Sequence, residues 1–496
     1  MRVSERARGS IRRHVPIPIP TAEEVRRSAL DAPTVRDNML PAMTGPQVAD
    51  DTIVIRVLNL ALRVGEVQLA TGAGAAVAHD TMIAIASAYG LPTCDVDIAF
   101  STITMCCHRG VEAGPVTTMR NVRYRTQDYT RLATVDALIK DIVDTDTPIH
   151  STEALTRLST AVEANHPYPR YMAGISRSLF AAAVSVLIGG GAGVALVSFV
   201  LTGVVWSTSR WLGRRSVPMF FQQVLAAAVV TTIALTLSFT GVLLDSPAFV
   251  VATGIIVLLS GLSLVGLVQD AITGFPLTAA GRAVEVVLGT GGLLVGVVVS
   301  IKLAATLGGA TALAYALALP PSITPQADAL HLLAAGAAGM FFALSAYAPL
   351  TSLPVAAIGG AVAWTIFALG INSGLGEVVA SAAAATVLGL IAIMIPPRLG
   401  LPPLVLVVAG IMPLLPGLML YTGFAQLAVV GLDGSMQTSG SVSEIQTGTL
   451  TSLLAFVVSL ALAAGVSFGE QIGWPVARLL RRSVASSIRT RRPRIF

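Results

Sequence analysis

Two apolar patterns follow one another along the chain. In the first, apolar positions recur at the periods of short elements. IVIRVLNLALRVGEVQLATG (53–72) keeps helical spacing and ends at Gly72. GAAVAHDTMIAIASAYGL (74–91) reads as a second helix, stopped by Gly90 and Pro92. DVDIAFSTITMCCH (95–108) alternates, with Val96, Ile98 and Phe100 set against Thr102, Thr104 and Cys106, and is strand-like. MRNVRYRTQ (119–127) predicts a weaker third strand. DYTRLATVDALIKDIVD (128–144) and STEALTRLSTAVEAN (151–165) are amphipathic helices. The order helix–helix–strands–helix–helix predicts a small α+β domain over 53–168, long enough to bury its own core.

From residue 169 the pattern changes to long apolar runs. A bilayer core about 30 Å thick requires roughly 20 apolar residues per helix. Ten such spans are expected, at 172–190, 192–212, 218–243, 248–268, 283–304, 329–347, 352–371, 376–395, 402–427 and 449–470. The fold class is therefore a mainly α, polytopic membrane protein with a small α+β domain ahead of it. The spans divide into halves over 169–305 and 306–475. Span 4 (VLLSGLSLVGLVQDAITG, 257–274) and span 9 (LVVAGIMPLLPGLMLYTG, 406–423) share a small residue and glycine before an apolar residue. Five spans per half would make the two halves an inverted repeat, a common build of secondary transporters.

Composition agrees. The 496 residues are 54% hydrophobic and 12% charged, where soluble proteins carry about 25% charged residues. Mean hydropathy is +0.76. Positions 171–475 hold fifteen charged residues and the rest of the chain holds 44. Soluble-enzyme, collagen-like and wholly disordered classes are excluded. Nucleic-acid binding is excluded as well, because the net charge is only +5 and its basic residues sit at the ends and in short loops. Residues 1–52 read as a disordered, basic, proline-rich lead without the apolar stretch of a secretory signal peptide, and 476–496 as a basic tail.

Arginine placement sets the topology. With the N-terminus inside, the inner loops carry Arg210, Arg214, Arg215, Arg282 and Arg398, and the tail adds seven more arginines. The outer side carries Lys302 with Asp245, Asp328, Asp433 and Glu444. Both termini are therefore expected in the cytoplasm, and the protein in the cytoplasmic membrane. Lys302 is the one cation expected deep in a span.

Ionisable residues inside spans are candidate functional groups. Asp270, which follows Gln269 and stands near Thr273, Arg282 and Glu285, would bind a proton or an ammonium group; the alternative is a helix cap or a partner for Arg282. Glu285 follows Arg282 by one turn, which suggests that they pair. Asn372 and Glu377 flank an outer loop. Gln222 and Gln223 are adjacent, so at most one of them faces inward. Pro413, Pro416 and Gly417 interrupt span 9, freeing backbone groups near Gly410 and Tyr421, and Ser260–Gly261 is the counterpart in span 4. His79, Asp80, Asp95, Asp97, Cys106, Cys107 and His108 invite a metal or hydrolase reading, but no HExxH, CxxC or GxSxG accompanies them, and neither metal nor cofactor is expected. The absence of GxxxxGK[ST] argues against nucleotide-driven transport.

The chain resembles the threonine/serine exporter family of actinobacteria over roughly 55–475. The likeness rests on RVGEVQLATGAG, SAYGL (87–91) and DVDIAFSTITM in the domain. In the membrane part it rests on LIGGG (187–191), PMFFQQ (218–223), LLSGLSLVGLVQDAITGFPLTAAGR (258–282) and AGIMPLLPGLMLYTG (409–423). It implies ten spans, a cytoplasmic N-terminal domain, and export of threonine and serine driven by protons. Partners are then a small amino acid, protons and the lipid bilayer, with a homo-oligomer left open. Two alternatives stand beside it: a dicarboxylate exporter on the same scaffold, and a membrane-anchored hydrolase acting through the domain.

Overall fold

The computed structural model describes residues 51–91, 93–108, 114–123, 125–143, 148–242, 246–259, 261–317, 325–394, 401–429 and 439–490. Residues 1–50 of the expected lead, Ser260, and the last six residues of the tail lie outside them; Asp51 and Thr52 already belong to the first helix. Asp50–His108 and Pro115–Phe496 form one compact unit.

The domain is built on α1 (Asp51–Ala70), which packs against every other layer. Its buried face is Val54, Val57, Leu58, Ala61 and Leu62, at helical spacing. Around it lie α2 (Ala75–Ala88), β1 (Cys94–Ala99), β2 (Thr102–Cys107), β3 (Val116–Asn121), α3 (Tyr129–Val143) and α4 (Ser151–Glu163). The three strands are antiparallel in the order β1-β2-β3, with Val96 opposite Met105 and Met105 opposite Thr118. Met82, Ile85, Ile103, Met105, Ile142 and Leu158 close the core.

The strand-like run over 95–108 forms the hairpin β1–β2. The chain reverses at Phe100–Ser101, and Phe100 adopts φ +55°, rare for a residue with a Cβ. No turn-forming Gly or Asn marks the place. A distant element holds it: the Phe100 amide donates to Thr278 Oγ1 at 3.1 Å, and the ring packs over Gly281. The third strand also begins earlier than its expected segment, at Val116.

The membrane part follows as α5 (Arg170–Leu187), α6 (Ala192–Arg214), α7 (Met219–Phe239), α8 (Pro247–Leu258), α9 (Gly261–Ile272) and α10 (Pro276–Leu317). It continues with α11 (Ala329–Ser345), α12 (Leu353–Asn372), α13 (Glu377–Met394), α14 (Pro403–Ile411), α15 (Gly417–Val429) and α16 (Ser439–Thr490). Each of the ten expected spans coincides with one helix or a bent pair. Among the described residues six helices have the length and apolarity to cross a membrane. The bent pairs α8–α9 and α14–α15, angled at 51° and 44°, bring the number to eight. α5, which contains Arg170 and Arg177, and the 17-residue α11 fall outside that set. Leu307 and Leu333, on two different helices, are 80% and 73% exposed, as lipid-facing side chains would be.

The groups α5–α10 and α11–α16 pack alike. In each, the most extensive pairing joins the third expected span to the fifth: α7 with α10, and α13 with α16. Small residues permit both approaches. A Cβ on Gly296 of α10 would lie 2.3 Å from the Val224 carbonyl of α7, and one on Gly469 of α16 would lie 2.0 Å from the Thr386 carbonyl of α13. Between halves, α5 meets α11, α8 meets α15, α9 meets α16, and α10 meets α15.

Candidate functional site

The two bent helices touch at their breaks. In the first half, α8 ends as Leu259 turns extended (ψ 135°), and α9 restarts at Gly261. In the second, α14 runs into a 3-10 turn over Met412–Leu414 before α15 starts at Gly417. Pro413 and Pro416 have no N–H to continue the helical ladder there. Gly261 lies against Met412 and Leu415, and Gly417 against Ile256 and the Ala252 carbonyl. A side chain at either glycine would drive the helices apart. The Gln223 amide, reaching across from α7, donates Nε2–H to the Leu258 carbonyl at 3.1 Å.

Cavities open on both sides of this junction. On the side carrying the α+β domain, a chamber of about 260 Å³ is lined by Arg177, Gln222, Gln223, Leu258, Leu259 and Met412, among others. Gln127, Arg177 and Met219 also line a wider vestibule of about 920 Å³, which brings in Arg123, Arg125 and Arg210 beside Asp128 and Glu285. On the far side, a cavity of about 420 Å³ is lined by Trp364, Glu377, Ser381, Pro413, Pro416 and Thr422, among others. Met412 faces the chamber and Pro413 faces the far cavity, so the junction is the partition between them.

Asp270 lines neither cavity; it is completely buried. Its Oδ1 accepts the Ala75 amide at 2.7 Å, capping α2 of the domain, and its Oδ2 lies 3.0 Å from Arg282 Nε. Arg282 Nη2 donates to the Ala73 carbonyl at 3.0 Å. Gly266 makes room for the guanidinium: a Cβ there would fall 1.3 Å from Nη1. The neighbouring Gln269 donates to Glu470 Oε2 at 3.3 Å and lies against Gly74. Thr278 joins the same contact, donating to the Ile98 carbonyl at 3.0 Å. Glu285 does not pair with Arg282; it binds Arg125 of the loop after β3, whose guanidinium also stacks on Phe100. The Arg282–Glu285 pairing suggested by helical spacing is thus replaced by two long-range pairs. They form because the domain places Arg125 and the Ala73–Ala75 backbone within reach.

The domain also grips the second half. Tyr129 and Thr130 amides donate to the Ala346 and Tyr347 carbonyls at 3.1 and 3.0 Å, and Tyr168 donates to the Ala348 carbonyl. The His166 ring stacks on Tyr347 at 4.1 Å and contacts Asp128 at 2.8 Å.

Of the two amides opening α7, Gln223 is buried and Gln222 only half-buried, its Nε2 donating to the Val217 carbonyl at 2.8 Å. Both line the chamber. Thr273 is exposed and donates to the Gln269 carbonyl of its own helix. Asn372 is exposed and donates to the Pro325 carbonyl at 3.2 Å. Gly410 packs against Leu388, and Tyr421 is buried away from the cavity linings. In the domain, His108 meets Asp95 at 3.2 Å and His79 meets Asp80 at 3.1 Å. Among the described residues no three of His, Cys, Asp and Glu gather to hold a metal. Burial and Cys107 raise the Cys94 thiol well above its ordinary range, which suits a packed residue rather than a nucleophile. Burial likewise pushes the Asp136 carboxyl up to about 6.

The expectation that Lys302 alone stands deep in a span needs correction. Arg177, the one ionisable residue in 172–190, lies on α5 and lines both the chamber and the vestibule. Its position in an apolar run marks it in the sequence. Glu470, at the end of the last expected span, is half-buried and accepts from Gln269.

Residues 59–304 match the family model described as "Putative threonine/serine exporter", and residues 331–472 match that described as "Threonine/Serine exporter, ThrE". A Mycobacterium tuberculosis protein named "Probable threonine/serine exporter" is 36% identical over 433 residues, covering 86% of this chain and 78% of that one. A Corynebacterium glutamicum protein named "Threonine/serine exporter" is 32% identical over 439 residues, covering 88% and 85%. No solved structure matches.

Proposed function

Because the chain belongs to the threonine/serine exporter family, and so is a multi-pass membrane transporter rather than an enzyme, we propose that it exports threonine and serine by alternating access, driven by protons. The observation that carries this reading is the pair of cavities divided by two abutting helix breaks. Opening and closing that partition moves a solute across without a continuous pore.

The reading includes ten spans in two inverted halves of five. The matched helix contacts support it. Exchanging first half for second maps α5·α11 onto itself, swaps α9·α16 with α10·α15, and takes α8·α15 to the slighter contact α9·α14. The breaks fall in the fourth span of each half, and those spans run in opposite directions. Discontinuous helices at a repeat interface are where secondary transporters bind substrate. The arginine bias puts the domain, the vestibule and both termini in the cytoplasm of a cell-membrane protein. The partners of the cycle are then the amino acid, protons and surrounding lipid.

Asp270 is the proposed proton-responsive group. Protonation would release Arg282 and loosen the domain from the α9–α10 turn, so proton entry and partition movement share one latch. The test is counterflow into proteoliposomes holding the pure protein. Labelled threonine and serine are expected to exchange faster than succinate, and an inward proton gradient to accelerate export. Exchange of succinate in preference to both amino acids would transfer the scaffold to dicarboxylates. Absence of all flux would end the exporter reading.

A further inference from the structure

We propose that Arg177 is the carboxylate-binding residue of the inward-facing chamber, and that Gln223 receives the ammonium or hydroxyl group of the same substrate; this assignment rests on the exporter reading above. Among the described residues Arg177 is the only ionisable side chain lining that chamber. Among the described residues no carboxylate lies within ion-pair distance of it. Its hydrogen-bond partner is neutral: Nη2 donates to Gln127 Oε1 at 3.4 Å. A half-buried guanidinium without a counter-ion is a site for an anion, and its fork fits a carboxylate with two parallel hydrogen bonds.

A second lining residue has the complementary deficit. Gln223 is 7% exposed, its Nε2 is committed to the Leu258 carbonyl, and its Oε1 has no donor. A buried acceptor left unpaired is costly, and a substrate N–H or O–H removes that cost. The rest of the lining sets polar Gln127, Ser209 and Gln222 among apolar residues: Phe180 and Phe342 meet edge to face at 5.6 Å, and Met412 of the second break belongs to it as well. At about 260 Å³ the chamber lies just under the range for drug-sized ligands, about 300–1,000 Å³. It therefore takes a small α-amino acid and has no second cation for a second carboxylate. The vestibule outside, with Arg123, Arg125 and Arg210 against Asp128 and Glu285, has an excess of positive charge that draws anionic groups inward. Met412 links recognition to motion, since a substrate held between Arg177 and Gln223 lies against the partition.

The experiment compares threonine with threoninamide, which keeps the ammonium and hydroxyl but has no anion, as competitors of labelled threonine counterflow. The wild-type protein is expected to prefer threonine. In Arg177→Gln the apparent KM for threonine is expected to rise roughly tenfold or more, the loss of a charge-assisted hydrogen bond, and the preference over the amide to vanish. Arg177→Lys keeps the charge without the fork and should retain part of that preference. It carries the comparison alone if Arg177→Gln is not monodisperse. Gln223→Ala should weaken both compounds equally and leave the preference intact. An Arg177 variant that transports yet still favours free threonine as strongly as wild type would overturn the assignment while leaving the exporter reading standing. A wild-type protein that exchanges neither threonine nor serine would remove that reading instead.

Discussion

Asp270 and Arg282 form a pair whose members are 0% and 4% exposed. Breaking one side of such a pair leaves a buried charge and typically costs 3–5 kcal/mol, roughly. Asp270→Asn is therefore expected to lower the thermal midpoint in detergent and to abolish pH-gradient-driven export. The double variant Asp270→Asn/Arg282→Gln should regain stability without regaining proton coupling. Restored coupling in the double variant would reduce Asp270 to a structural role. Asp136 offers a second residue-scale test, in the domain. Folding raises its pKa from 3.8 to about 6, so the folded domain holds that proton more firmly than the unfolded chain. Stability is greatest below about pH 4, declines as pH climbs to about 6, and is level above that. Asp136→Asn should stabilise the domain by roughly 2–3 kcal/mol at pH 8 and by little below pH 4, read from thermal melts at the two pH values. At this scale the sequence is readable where a residue violates its surroundings: Asp270, Arg177 and the span-9 prolines all stand out in apolar runs. Arg125–Glu285 and Gln269–Glu470 are not readable, because partners 160 and 201 positions apart leave no local pattern.

Among elements, the apolar runs locate the six to eight helices long and apolar enough to cross a membrane, since burial in lipid demands length and hydrophobicity from each run by itself. The hairpin's strands show in the alternation, but the place of its turn does not, because Thr278 and Gly281, nearly 180 positions away, hold it. The break in α14–α15 is written into Pro413 and Pro416, whereas that in α8–α9 has no proline. Pro413→Ala/Pro416→Ala should extend the helical ladder through the partition. The expected outcome is a higher thermal midpoint together with slower threonine counterflow. Unchanged flux would mean that the kink is incidental to transport.

For the whole molecule, the proposed alternating access would make the chamber and far cavity reciprocal in exposure. The three native cysteines, Cys94, Cys106 and Cys107, all lie in the domain, so a cysteine-free background is within reach. In it, Ser209→Cys reports the chamber and Ser381→Cys the far cavity. Saturating threonine and an imposed proton gradient should change their labelling by a membrane-impermeant thiol reagent in opposite directions. Parallel changes at both positions would contradict a moving partition and point to an open channel.

The domain's two handholds have a mechanical consequence. One grips the α9–α10 turn through Asp270, Thr278 and Glu285; the other grips the segment after α11 through Tyr347 and Ala348. A rigid body bolted to both rockers of a seesaw acts as a cross-brace, and no tilt occurs until one bolt slides. The stacked rings of His166 and Tyr347 can glide in a way that the buried ion pair cannot, so compliance belongs at the ring contact. The stiffness of a module outside the bilayer would then govern how often the gate swings, trading throughput against leak.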